Sequence, residues 1–244
     1  MIGNQSSGGA VLITDADNTL WDTNQVFAEA QLQLLSAVER YAGRVSQKAD
    51  RLALVRRHDQ ALARRDHRGL KYDPVLLVRE VWRVVAGDSV PPIDDKIANE
   101  IASEFMDNLR IRPRLRQGVC EAIAVMSEND VRIWVVSEGH RERVLEALAA
   151  YDIERTVSRL LIAEKTTSLY NRLRKLVPST SKVVAVGDQL DRDIEPAKNA
   201  GLQTAYFPGG FTPVWTDESK LKYADAVIDD YRQLLPMLSV RAAA

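Results

Sequence analysis

Four short stretches of this chain carry side chains whose types and spacing could do chemistry. Thr14-Asp15-Ala16-Asp17-Asn18-Thr19 places two carboxylates two residues apart, so in an extended chain they leave the same face. Ser137-Glu138-Gly139-His140 offers a hydroxyl followed by backbone N–H groups, Glu164-Lys165-Thr166-Thr167 an ammonium, and Gly187-Asp188-Gln189-Leu190-Asp191-Arg192-Asp193 a further acidic cluster. Two carboxylates held close repel unless a cation lies between them or one takes a proton. Asp15, Asp17 and Asp188 together form an oxygen-rich set that suits Mg²⁺ better than a soft metal. A carboxylate held against such an ion can attack phosphorus and form an aspartyl phosphate. Ser137 and the N–H groups after it could hold phosphate oxygens, and Lys165 supplies a point charge. Phosphoryl transfer needs little beyond such positioning and charge neutralisation.

Each of these stretches comes directly after a short apolar run: Ala10–Ile13, Val131–Val136, Leu160–Ala163 and Val183–Val186, with Thr204–Phe207 and the weaker Ala226–Ile228 continuing the series. Runs of this length suit strands buried on both faces. The segments Arg141–Tyr151, Thr167–Leu176 and Ile194–Ala200 have helical composition, and Gly201 stands where a helix C-cap would be. Strand alternating with helix predicts an α/β fold, a doubly wound parallel sheet, in which ligands bind beyond the carboxyl ends of the strands.

The pattern is interrupted between Asp22 and Arg112, which reads as four helices: Asn24–Ala42, Gln47–Arg65, Asp73–Ala86 and Asp94–Leu109. In the third, Val75, Val78, Val81, Trp82 and Val85 share one face at helical spacing. The expected organisation is a loose tail over 1–9, an α/β core over 10–21 and 113–240, and an inserted helical domain over 22–112. Tyr72 lies in the Gly69–Pro74 break between two of these helices and is a candidate substrate contact. The return path Arg110–Arg116 reads as an extended, solvated linker, and His58, His67 and His140 show no metal-ligand spacing.

Composition removes several classes of function. The chain has 244 residues, 33 Lys plus Arg against 34 Asp plus Glu, and a net charge of −1, so no global basic field attracts nucleic acid or an anionic membrane. No apolar run exceeds five residues, far short of a membrane span. The polar start has no apolar signal region, and the single cysteine, Cys120, precludes an internal disulfide. A cytoplasmic monomer or homodimer acting on a small phosphorylated metabolite is the expectation.

The order of these parts resembles the haloacid dehalogenase (HAD) superfamily, whose pattern is Asp-x-Asp-x-Thr, then Ser or Thr, then Lys, then Gly-Asp with a second Asp downstream. Here those are Asp15, Asp17 and Thr19, then Ser137, Lys165, and Gly187, Asp188 and Asp193. The resemblance spans about residues 10–210, and the insertion matches the place of a C1-type helical cap. It implies an HAD-like hydrolase of the phosphatase branch with Mg²⁺ as cofactor. Asp15 is then nucleophile and metal ligand; Asp17 is general acid/base, with its backbone carbonyl on the metal. Ser137 and Lys165 bind the phosphoryl group, Asp188 is the third metal ligand, directly or through water, and Asp193 orients Lys165 or holds a metal water. Thr19, Glu138 and Gly139 complete the set of candidate substrate contacts.

Two positions depart from the pattern: Glu138 stands where the family often has Asn, and Thr166 where it often has Pro. An unpaired Glu138 at ~6 Å from a phosphate would cost about 3 kcal/mol per unit charge at an effective dielectric of ~20. Arg141, Arg143 or an arginine of the helical domain could offset it; alternatively the carboxylate accepts a hydrogen bond from a leaving group or turns to solvent. The alternatives within the family are a 2-haloacid dehalogenase, which needs no metal and usually lacks the second Asp, and a phosphomutase. Outside it stands a receiver-type binding module phosphorylated on Asp without turnover.

Overall fold

A computed structural model describes residues 9–46, 50–64, 72–87 and 90–240. The rest of the N-terminal tail, His67 and the Gly69–Lys71 part of the expected interhelical break lie outside the described residues. The chain divides into two compact units. One comprises the described residues up to Thr23, Arg114–Thr212 and Thr216 onward; the other comprises Asn24–Pro113 together with Pro213–Trp215.

The first unit is built on strands β1 (Val11–Thr14), β2 (Arg132–Ser137), β3 (Val157–Ile162), β4 (Val183–Gly187), β5 (Gln203–Tyr206) and β6 (Ala226–Val227). They form one parallel sheet in the order β3-β2-β1-β4-β5-β6. Alternation along the strands explains why both faces are covered. Leu12, Ile133, Val135, Val184 and Val186 point into one core with Val119, Ile123, Leu148 and Tyr231. Val11, Ile13, Trp134, Val136 and Ala185 point into the other with Leu169, Tyr170 and Leu173. Each valine, leucine or isoleucine among them, taken fully from water, contributes roughly 1.5–3 kcal/mol. The chain leaves β1 first toward β2 and β3, then returns to β4 on the opposite side. The topological switch point therefore lies between the carboxyl ends of β1 and β4, where crevices form in doubly wound sheets.

Boundaries differ from the sequence expectation in informative places. β3 begins at Val157, three residues before the apolar run, because it is an edge strand whose Ser158 and Arg159 are exposed and carry no hydrophobic signal. In the second unit, α1 (Thr23–Ala42) is followed by α2 (Arg51–Ala63), α3 (Pro74–Ala86) and α4 (Asp95–Asn108). Aspartates set three of the starts: the side chains of Asp50, Asp73 and Asp94 accept from the first-turn N–H groups of α2, α3 and α4. Asp50 caps α2 at Arg51; Gln47 and Arg65, the expected bounds of this helix, lie outside the described residues. Val75, Val78 and Val81 are buried against Leu34, Leu35, Leu54 and Ile101, while Trp82 and Val85 are half-buried at the rim. The Val214 N–H donates to Gln60 Oε1 at 2.7 Å, so the 213–215 segment is held by α2.

Back in the first unit, the helix α5 (Val119–Glu128) precedes β2, where the sequence reading places no element. Ahead of α5, the return path is not a free linker: Asp22 N–H donates to Arg114 O at 2.8 Å and Arg116 N–H to Leu20 O at 2.9 Å, pairing the two connections as a short ribbon. Helices α6 (Arg141–Ala150), α7 (Thr167–Lys175), α8 (Glu195–Asn199) and α9 (Leu234–Met237) come after their strands. No helix among the described residues is long and apolar enough to cross a membrane.

Candidate active site

The loop after β1 is shaped by its own hydrogen bonds. Thr19 and Leu20 N–H both donate to Ala16 O, and Asn18 adopts the left-handed conformation at φ 58°, which Asn tolerates better than most residues. This turn brings Thr19 back under Asp15, where its buried hydroxyl donates to Asp15 Oδ2 at 3.1 Å. From behind, the wholly buried Tyr231 donates its hydroxyl to Thr14 Oγ1 at 2.8 Å, which in turn donates to Asp15 O at 2.7 Å. Asp15 is thus held at its carboxylate by Thr19 and at its backbone carbonyl by Thr14.

Lys165, from the end of β3, donates its ammonium to Asp15 Oδ1 and, at 2.6 Å, to Asp193 Oδ1. Burial pushes the lysine pKa down, but Asp15 and Asp193 more than reverse this and hold it well above the ordinary value. Asp193 lies in a π-helical turn, Leu190–Ile194, that closes back on Gln189, whose N–H donates to Asp193 Oδ2 at 3.0 Å. A Cβ at Gly187 would overlap the Asp193 carboxyl group outright, so glycine there is a condition for placing Asp193.

Asp17 sits slightly apart. Its Oδ1 accepts from Trp21 Nε1 at 2.9 Å, and its Oδ2 lies 3.0 Å from where a Cβ of Gly139 would stand. Gly139 N–H donates to Ser137 Oγ at 3.0 Å, so Asp17, Ser137 and Gly139 share one corner. Burial, then the charge of Asp15, raises the Asp17 pKa, although Trp21 and Lys165 oppose the shift.

Glu138 pairs with an arginine, one of the readings the sequence leaves open, but with a different arginine from those expected. Its side chain does not pair with Arg141 or Arg143. Its Oε1 accepts from the backbone N–H of Lys165 at 2.9 Å, and its Oε2 pairs with Arg192 at 2.9 Å. Arg192 escapes a sequence reading because the two residues stand far apart in the chain; its place directly before Asp193 is the one signal that points to it.

Tyr72 belongs to the helical unit, where its hydroxyl donates to Asp59, which also accepts from Gln31 Nε2 at 3.2 Å. It is not among the residues that the strand ends of the α/β unit bring together.

Arg116 is a second residue whose role the sequence hides. Read as part of a solvated linker, it is in fact half-buried, and its guanidinium donates to three carbonyls: Asn18 at 2.5 Å, Phe207 at 3.0 Å and Pro208 at 2.7 Å. It also lies over the Phe207 ring at 3.4 Å from the centroid. One planar fork thereby ties the Asp17–Asn18 turn to the loop after β5. Arg116→Ala is expected to lower unfolding stability by about 2 kcal/mol and turnover roughly tenfold. Arg116→Lys should recover little of either, because one ammonium cannot serve three carbonyls in a plane. Denaturant titration beside steady-state kinetics on the same samples checks this; wild-type values for Arg116→Ala would refute the clamp.

Asp15, Asp188 and Asp193 can each offer a carboxylate oxygen within 4.8 Å of the others. Asp188 Oδ1 is enclosed and has no hydrogen-bond partner. Burial first, then Asp15 and Asp193, raises the Asp188 pKa well above its usual value. With Asp17 there are four carboxylates in this region: Asp15 and Asp193 are buried and share the Lys165 ammonium, while Asp17 and Asp188 are half-buried. An all-oxygen donor set with an orphaned carboxylate oxygen and an excess of negative charge fits a hard divalent cation such as Mg²⁺.

No curated protein matches the chain in sequence. Solved structures match its fold over nearly their whole length. A haloacid dehalogenase-like family hydrolase from Xanthomonas campestris shares 17% identity at a TM-score of 0.64, covering 96% of this chain and 97% of that one. The HAD-hydrolase YfnB from Bacillus subtilis, in a structure bound to magnesium, shares 15% at 0.65, covering 96% and 100%. A 2-haloacid dehalogenase from Pseudomonas syringae shares 19% at 0.52, covering 95% and 98%. At these identities the likeness is one of fold. The family model for haloacid dehalogenase-like hydrolases matches residues 10–201, which takes in all four strand-end stretches, and the chain belongs to that family of hydrolases.

Proposed function

We propose that this hydrolase cleaves a small phosphomonoester with Mg²⁺ bound, through an aspartyl phosphate on Asp15. The observation that carries the reading is the carboxylate cluster: Asp15 and Asp193 buried on Lys165, half-buried Asp188 beside them with Oδ1 unpartnered, and Asp17 at the adjoining corner. A site that expelled halide from a carbon centre would gain nothing from such an excess of carboxylates. A dianionic phosphate needs a cation in it.

In this reading a carboxylate oxygen of Asp15 attacks phosphorus while the bond from phosphorus to the leaving oxygen breaks. Asp17, next to Ser137 and Gly139, gives its proton to that oxygen. It then takes a proton from the water that attacks the phosphorus of the aspartyl phosphate, which releases inorganic phosphate and restores Asp15. Lys165 and the Ser137–Gly139 turn hold the phosphoryl oxygens. Mg²⁺, held by Asp15, Asp188 and, directly or through water, Asp193, would add positive charge at those oxygens.

The test is a panel of phosphomonoesters and one aryl phosphate, with Mg²⁺ and with excess chelator. Turnover with Mg²⁺ and a loss of at least roughly 100-fold on chelation is the expected result. Full activity in chelator, or turnover of a 2-haloacid in its place, overturns the reading.

A further inference from the structure

Glu138 closes a ring of contacts around Lys165. Its Oε1 takes the Lys165 backbone N–H at 2.9 Å, and its Oε2 takes Arg192 Nη2 at 2.9 Å. Arg192 is bonded in the chain to Asp193, and Asp193 takes the Lys165 ammonium at 2.6 Å. Starting from the lysine, the ring therefore runs from its peptide N–H through Glu138, Arg192 and Asp193 back to its own Nζ. Lys165 is thus fixed at its peptide N–H and at its ammonium by residues from beyond the ends of β2 and β4. The Glu138 and Arg192 side chains are only 20% and 14% exposed, so the pair sits in a partly desolvated place where a lost partner is felt.

We propose that Glu138 and Arg192 form a positioning pair that holds Lys165 between Asp15 and Asp193, rather than a contact for the substrate's leaving group. Both carboxylate oxygens of Glu138 are already engaged, and its charge is matched by Arg192. This removes the repulsion toward a phosphate that an unpaired Glu138 would exert. The pairing also explains why Glu is tolerated after Ser137: the position serves the Lys165 peptide N–H, and any acceptor of the right reach can do that. The kinetic part of the proposal rests on the phosphatase reading above; the structural part does not.

Two measurements keep these apart. The first needs no activity: hydrogen exchange at the Lys165 amide in the folded protein. Glu138→Ala should speed it by at least roughly tenfold by removing its acceptor. Arg192→Ala should do so to a smaller degree, and Glu138→Gln, which keeps a carbonyl acceptor, least. The second is kinetics on an aryl phosphate with Mg²⁺. Glu138→Ala is expected to lower kcat roughly 10–100-fold with KM nearly unchanged, the cost of a loosened catalytic group. Adding Arg192→Ala to it should cost less than the product of the two single losses, because the pair acts as one. Glu138→Gln should restore part of kcat and covers the case in which the alanine variant does not fold.

Unchanged amide exchange in Glu138→Ala overturns the proposal. So do multiplicative kcat losses, or a rise in KM that differs from one leaving group to another, which would make Glu138 a substrate contact. A wild-type protein inactive on every phosphomonoester sinks the phosphatase reading and leaves the exchange result standing.

Discussion

Asp15→Asn should abolish turnover, by roughly 10³-fold or more, while leaving the protein as stable as before or more so. The loss of turnover comes from losing the nucleophile. The stability comes from electrostatics: Asp15 sits among Asp17, Asp188 and Asp193, and its charge contributes to raising the pKa of Asp17 and of Asp188. Replacing it with a neutral amide relieves that repulsion. Thr19 can still donate to the amide oxygen, and Lys165 loses its acceptor on residue 15 but keeps Asp193, so one lost ion pair stands against the relief of repulsion among the carboxylates. In metal-free buffer the variant should melt at or above the wild-type temperature, the usual trade between a site's charge and the fold's stability. Thermal unfolding and turnover measured on one preparation decide the matter. Retention of more than a tenth of wild-type activity would remove Asp15 from its assigned role, and a large drop in Tm would show that the carboxylate is structural.

Gly187→Ala should be nearly as damaging for a different reason. Its Cβ would occupy the space of the Asp193 carboxyl group, so the buried strand β4 or the π-helical turn that carries Asp193 must shift. Overpacking of this kind costs about 1–3 kcal/mol in stability. Displacing Asp193 also frees the Lys165 ammonium from one of its two anchors, so turnover should fall by roughly 10²-fold. Denaturant unfolding with kinetics on the same variant reads both effects. An active, fully stable Gly187→Ala protein would mean that Asp193 can be held from elsewhere.

Most of the strands are legible in the sequence because they are buried on both faces: β1 and β4 are continuous apolar runs, and the residues beyond each lie where a parallel sheet presents ligands. The start of β3 is hidden for the complementary reason. An edge strand needs apolar residues on fewer positions, so Val157-Ser158-Arg159 looks like loop. Asp15, Lys165, Asp188 and Asp193 can be picked out because each sits at or near a strand end, and the structure gathers them. The roles of Glu138 and Arg116 cannot be read that way. One glutamate beside a serine does not reveal a partner 54 residues on, at Arg192. Nor does one arginine in an Arg-rich linker reveal that three carbonyls from two other loops converge on it. Local sequence carries propensity and periodicity; it does not carry which loops become neighbours once the sheet has closed.

The three residues Pro213–Trp215 have a practical consequence for anyone recombining this protein. The helical unit looks like a cassette that could be cut out between Thr23 and Arg114 and moved to another scaffold. It is not a contiguous one, because its α2 side chain Gln60, nearly buried, spends its carbonyl oxygen on the Val214 N–H. A transplant limited to 24–113 would leave that acceptor without its partner and remove the short length of chain beside it. Chimeras should therefore be drawn with two exchanged segments, the long one and this short one, or with Gln60 redesigned as an apolar residue.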